Sequence, residues 1–216
     1  MGKVINPEEV KDYLADEQTI MVGGFMECGA PLKLIDILLA ERIKDITLIA
    51  NDTGFTDGKF GSLIVEKRAR KVIASHIGLN KETGLQMNKG ELEVELVPQG
   101  TLAERIRSYG AGLGGFYTPT GVGTVVEKGK NKKEINGKEY LLELPLGADI
   151  ALIKAWQVDQ VGNIIYSKSA RNFNQVMAAA ADIVIVEAEE IVPTGELDPN
   201  QIMTPGIFVD YIVDFS

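Results

Sequence analysis

The sequence predicts an α/β fold built on a parallel sheet. Three observations carry that expectation. Apolar strand-like runs and helix-like runs alternate through the first hundred residues. The residues just beyond four predicted strands, Gly23, Asn51, His76 and Gln99, stand 23 to 28 residues apart. That is about one βα unit each, and right-handed crossovers then make the strands parallel. The chain has 216 residues, 45% apolar and 25% charged. This suits one globular domain, read here as spanning 1–216.

Each element has its own signal. Asn6-Pro7-Glu8-Glu9 opens a helix: Asn caps it, Pro fits the first turn, and the Glu pair favours the positive helix end. Val10, Tyr13 and Leu14 supply its apolar stripe. Thr19–Val22 reads as a strand that Gly23-Gly24 stops. Pro31 starts a helix with Leu32, Ile35, Leu38, Leu39 and Ile43 near a 3.6-residue period. Ile46–Ala50 is a second strand, followed by a turn-rich loop over 51–58. Lys71–Ser75 and Leu92–Val97 are the third and fourth strands. Thr101-Leu102-Ala103-Glu104 has the form of a capping box opening the next helix. Residues 110–124 are glycine-rich, and Asn136-Gly137 signals a small β-hairpin. Ile150–Ala155 and Ile183–Ala188 are buried-strand candidates, with an alanine-rich helix over Phe173–Ala181 between them.

Composition excludes several functions. With 22 basic and 31 acidic residues the net charge is −9, which argues against nucleic-acid binding. The basic stretch KGKNKKE at 128–134 reads as a solvated loop. One cysteine, Cys28, and one histidine, His76, leave no disulfide framework, multi-cysteine zinc site or His-rich metal centre. A polar N-terminus and the lack of an apolar run near ~20 residues place the protein in the cytoplasm, away from membranes.

The strongest local motif is Thr19 through Pro31: strand, glycine loop, helix start. Such a loop can present backbone N–H groups and a helix N-terminus to a phosphate. It can equally be a tight turn that needs flexible glycines, and the residues alone leave both open. Gly110-x-Gly112-x-x-Gly115 matches a dinucleotide fingerprint but follows a helix rather than a strand. A substrate-facing loop carrying Phe116 and Tyr117 is the better reading. Gln99, between a strand and a helix, could donate to an oxyanion at the carboxyl edge, although a Gln bonded to nearby backbone is the commoner case. Cys28 and His76 lie near the same edge, but a buried neutral Cys and a structural His are expected rather than a dyad. Glu27 reads as a polar loop residue, Glu189-Glu190 as solvated or interface charges, and Trp156 as core or interface.

Taken in order, these segments resemble the α subunit of family I CoA-transferases, the acetate/acetoacetate and 3-oxoacid type. The matching segments are Val22–Phe25 through Gly29-x-Pro31, Glu91–Arg107, and Gly115–Gly123. Ala148–Val186 also matches, with its Gly162-Asn163 turn and Ser169-Ala170-Arg171-Asn172-Phe173-Asn174. The resemblance implies a three-layer α/β/α open sheet related to ribose-5-phosphate isomerase. It implies ping-pong transfer of CoA from an acyl-CoA to a carboxylate through a glutamyl-CoA thioester. CoA is then substrate and carrier, with no resident cofactor and no metal. Gln99 matches the oxyanion position. Gly24, Phe25, Met26, Glu27, Cys28, Gly29 and Ala30 match the CoA signature. Asn51 and Asp52 match an Asn-Asn pair near the acyl substrate. Position 52 departs from that pair, and an ionised Asp52 near a carboxylate would be repulsive unless paired. Family members carry the nucleophilic Glu in a Ser-Glu-Asn-Gly motif of the β subunit, and that motif is absent from this sequence. The expectation is a catalytically incomplete chain, active at an interface in an α₂β₂ or larger assembly, on acetoacetyl-, acetyl- or butyryl-CoA. Two rivals use the same fold: a sugar-phosphate isomerase and a non-catalytic phosphosugar-binding domain.

Overall fold

A computed structural model describes residues 3–215. In chain order its first half comprises β1 (Val4–Ile5), a 3₁₀ helix (Pro7–Tyr13), β2 (Thr19–Val22), α1 (Leu32–Ala40), β3 (Ile46–Ala50), α2 (Ser62–Val65), β4 (Ala69–Ala74), α3 (Lys81–Lys89), β5 (Glu93–Leu96) and α4 (Gln99–Gly110). Then follow β6 (Phe116–Thr118), β7 (Lys132–Ile135), β8 (Lys138–Glu143), β9 (Ala148–Asp159), β10 (Ile164–Ile165), α5 (Asn174–Met177), β11 (Ala181–Val192) and β12 (Tyr211–Val213).

The main sheet runs β1-β12-β11-β9-β2-β3-β4-β5, with β10 paired to β9. Every pairing along that order is parallel; only β10 runs antiparallel. Parallel strands are covered on both faces, and side-chain alternation shows how. In β2, Ile20 and Val22 join one buried cluster with Leu34, Ile35 and Leu38 of α1. Met21, between them, joins the opposite cluster with Leu102 and Ile106 of α4 and Met177 of α5. The result is the three-layer α/β/α sandwich. β6, β8 and β7 form a separate antiparallel sheet, with Asn136-Gly137 at the hairpin tip.

Several boundaries differ from expectation. The Asn6 element is a 3₁₀ helix, with the Glu9 carboxylate accepting from the Asn6 backbone N–H at 2.8 Å. Thr101 is no cap: α4 already starts at Gln99, directly after Pro98, and Thr101 is buried in its first turn. Glu104 instead pairs with Arg107. The alanine-rich helix shrinks to Asn174–Met177, because Ala180 already accepts from the Ala148 N–H where β11 begins beside β9. The strands β9 and β11 have 12 residues each and stay paired beyond the end of β2. Part of the basic stretch at 128–134 is strand: β7 starts at Lys132, whose ammonium pairs with Glu127. No helix among the described residues is long and apolar enough to cross a membrane.

Candidate functional site at the carboxyl edge

Strand order reverses at β2. From β2 the chain moves outward through β3, β4 and β5, while from β9 it moves the other way through β11 and β12. Helices α1 and α5 therefore pack on opposite faces, and a crevice opens between the two directions. Ligands of open α/β sheets bind at such a switch point, outside the strand ends. The loop from Gly23 to Pro31 emerges there.

That loop is tightly folded. Phe25 and Cys28 exchange both backbone hydrogen bonds, 3.1 and 2.9 Å, around a two-residue turn. Its central residues, Met26 and Glu27, both have positive φ, 49° and 67°. Gly and Asn dominate such turns, so two larger side chains there mark local strain. The turn is tied down from three sides. Met26 N–H donates to Asp52 Oδ2 at 2.9 Å. Phe60 N–H donates to Glu27 Oε1 at 3.2 Å. Asn172 accepts from Gly24 N–H at 3.2 Å and donates to the Cys28 carbonyl at 2.9 Å. Fully buried Asn174 donates to Gly29 O and Ala170 O and accepts from Lys154 N–H. The Ser169–Asn174 segment thus clamps the loop.

Most backbone donors of the loop are already engaged. Gly23 N–H is bonded to Leu152 O, and the N–H groups of Gly24, Phe25, Met26 and Cys28 are engaged as above. The N-terminus of α1 is closed as well: the buried Glu187 carboxylate accepts from Lys33 N–H at 2.7 Å and Leu34 N–H at 3.2 Å. Burial pushes the Glu187 carboxyl above its ordinary range, although those N–H groups and Lys154 pull it down. The loop tip offers side chains instead: Phe25, Met26 and Cys28 are exposed.

Next to the tip, the ends of β3, β4 and β5 bring four residues together. Asp52 is 1% exposed and Asn51 2%. Besides Met26 N–H, the Asp52 carboxylate accepts from Asn51 Nδ2 at 2.8 Å and, through Oδ1, from Gly54 N–H at 2.8 Å. Ser75 Oγ lies 2.8 Å from Asn51 O, 3.2 Å from Asn51 Oδ1 and 3.2 Å from Gln99 Oε1. Gln99 is exposed at the head of α4, whose N-terminus carries no side-chain cap. Among the described residues, its Nε2 has no hydrogen-bond partner. The positive end of α4 therefore stays open, unlike that of α1.

The remaining candidates lie apart. Phe116 and Tyr117 sit in β6, past the far end of the 12-residue helix that Gln99 begins, with Lys133 over the Tyr117 ring. Cys28 is exposed rather than buried; its sulfur is 3.8 Å from Ser169 Oγ, and among the described residues no hydrogen bond joins it to His76. Glu189 pairs with Lys154, and Glu190 accepts from Gln157. Trp156 is 42% exposed on the β9 extension. Sequence reading assigned no role to Ser75, Asn172 or Asn174. Ser169–Asn174 stood out as a motif, but the loop it grips is over 140 residues away in sequence.

Fold and site together define an α/β protein with a candidate ligand site at the topological switch point. A coenzyme A transferase family profile matches residues 6–214. The chain is 56% identical to the acetate CoA-transferase subunit alpha of Escherichia coli K12, over 98% of this chain and 96% of that one. It is 53% identical to the acetoacetyl-CoA:acetate/butyrate CoA transferase alpha subunit of Clostridium acetobutylicum, over 98% and 97%. Its fold matches an acyl-CoA transferase from E. coli O157:H7 solved as a CoA thioester complex, with a TM-score of 0.85 at 22% identity. That match covers 98% of this chain but 47% of the longer one. Glutaconate coenzyme A-transferase from Acidaminococcus fermentans matches with a TM-score of 0.83 at 22% identity, over 98% and 75%. The chain belongs to the coenzyme A transferase family, and its activity is that of a CoA-transferase.

Proposed function

We propose that this chain is the α subunit of an acyl-CoA:carboxylate CoA-transferase working on short acyl groups: acetoacetyl, acetyl and butyryl. Its β partner carries the nucleophilic Glu in a Ser-Glu-Asn-Gly motif, in an α₂β₂ or larger assembly. The Glu carboxylate attacks the thioester carbonyl, the C–S bond breaks, and CoA thiolate leaves an acyl-glutamyl anhydride. The thiolate then attacks the glutamyl carbonyl and releases the first carboxylate. A second carboxylate reverses these steps. The anhydride keeps the acyl group activated throughout. CoA is carrier and substrate, not a resident group.

One observation carries this chain's share. Gln99 Oε1 lies 3.2 Å from Ser75 Oγ, and among the described residues its amide N–H groups have no hydrogen-bond partner, at the open N-terminus of α4. Each tetrahedral intermediate bears an oxyanion, and a fixed amide backed by a helix dipole stabilises it. The exposed tip Phe25–Cys28 contacts the apolar pantetheine and acyl portions of the CoA ester, while the CoA phosphates are held elsewhere. Asn51 and Asp52 support the site from beneath. Phe116 and Tyr117 stay outside this assignment, because they lie past the far end of α4 from Gln99. An isomerase would need free paired carboxylates at this edge, whereas both oxygens of Asp52 are engaged. The test is acyl transfer by the assembled enzyme, comparing the native chain with Gln99→Ala. A large fall in kcat supports the role; an unchanged kcat removes it.

A further inference from the structure

The strained turn at the loop tip is held from outside itself. A two-residue turn with positive φ at both central positions suits Asn and Gly, whereas here it carries Met26 and Glu27, at φ 49° and 67°. Side chains of that size favour other backbone conformations unless something holds them. Both residues are tied to the loop that follows β3. The Met26 N–H donates to Asp52 Oδ2 at 2.9 Å, and the Glu27 carboxylate accepts from Phe60 N–H through Oε1 at 3.2 Å. The two loops fit closely there: a Cβ built on Gly58 would lie 2.2 Å from Glu27 Oε1. Buried Asp52 is fixed within its own loop, because Oδ1 accepts from Gly54 N–H and Oδ2 also accepts from Asn51 Nδ2. The departure at position 52 then has a physical reason. Donors face both carboxylate oxygens, and an Asn there would turn its own NH₂ against one of them.

We infer that Asp52 and Glu27 are positioning residues that latch the loop tip to the 52–60 loop and so hold Phe25, Met26 and Cys28 outward to receive the CoA ester. Each bond acts on the turn directly, with no group in between. The inference rests on the contact proposed between the tip and the CoA ester. It separates two tasks at the carboxyl edge: the latch sets acyl-CoA binding, and Gln99 serves the reacting oxygen. It also gives Asp52 a task that needs no contact with the carboxylate substrate.

Steady-state kinetics of the assembled two-subunit enzyme test the latch. Asp52→Asn and Glu27→Ala are each made alone and in a Met26→Gly background, and kcat and KM for acetoacetyl-CoA are measured. A slack tip must be ordered on binding, so each single change raises KM about fivefold and alters kcat less than about twofold. Glycine at 26 adopts the turn without strain and carries no side chain to present. In that background each change therefore raises KM by less than about twofold. A native KM in either single variant overturns the latch, and so does an equal rise in both backgrounds. A native KM for Met26→Gly alone rejects the contact between the tip and the CoA ester, and the latch's role in binding with it. If Asp52→Asn fails to assemble, Glu27→Ala decides alone, because it leaves all three hydrogen bonds to Asp52 in place.

Discussion

Asn174 occupies the space that a side chain on Gly23 would need. A Cβ built on Gly23 collides with Asn174 Oδ1, the atom that accepts from Lys154 N–H. The glycine loop and the Ser169–Asn174 segment are thus shaped to each other where they meet at the switch point.

The first prediction concerns that fit. A Cβ on Gly29 would lie 2.6 Å from Ala170 O, and φ there is +72°. Gly23→Ala and Gly29→Ala should each destabilise the fold by about 1–3 kcal/mol. Gly84, within α3, has nothing within 4 Å of an added Cβ. Gly84→Ala should stabilise by roughly 0.5–1 kcal/mol. Urea denaturation of the three variants checks both signs.

The second concerns acidity. Burial holds the Glu187 carboxyl above its ordinary value of 4.5. Between the unfolded and folded values the native state binds more protons than the unfolded chain, so stability falls as pH rises. This contribution is fully present below 4.5 and is lost as pH climbs through the folded value. Glu187→Gln lacks that titration. The native chain's stability, measured relative to Glu187→Gln by denaturant unfolding, should be greatest at the acid end and decline as pH rises. A difference that does not change with pH contradicts the assignment.

The third concerns the α1 cap. Glu187→Ala leaves the buried Leu34 N–H and its neighbour Lys33 N–H without their acceptor. The expected loss is about 1–3 kcal/mol, read as a lower unfolding midpoint.

The fourth concerns Gln99. Losing one fixed oxyanion donor costs about 10²–10³ in rate. Gln99→Ala in the assembled enzyme should lower kcat by that order, with a much smaller change in KM. Steady-state kinetics with acetoacetyl-CoA and acetate separate the two parameters.

Much of the frame was legible in the sequence, because parallel strands print a local signal. Thr19–Val22 and Ile46–Ala50 are apolar but for one Thr each, and a turn residue follows each. The helix α3 went unread because its buried residues are Thr83 and Gln86, which leave no apolar stripe; only the Asn80 cap and left-handed Gly90 marked it. The edge strand β1 and its neighbour β12 have 2 and 3 residues, too short for any periodicity. In the site, Gln99 and the glycine loop were visible as strand–helix turns. The engagement of the backbone donors in the loop and at the head of α1 was not, because it depends on acceptors from Asn172, Asp52 and Glu187, which lie far from those donors in sequence. Ser75 was hidden for the same reason: its position acquires meaning only when β3, β4 and β5 lie side by side.

The central claim is that this chain supplies half of a transferase site. The most direct measurement is CoA transfer from acetoacetyl-CoA to acetate by this chain alone and by this chain co-expressed with a partner carrying Ser-Glu-Asn-Gly. The account predicts turnover only by the pair, abolished when the Glu of that motif is replaced. Turnover by the lone chain would contradict it and place a nucleophile among this chain's own residues.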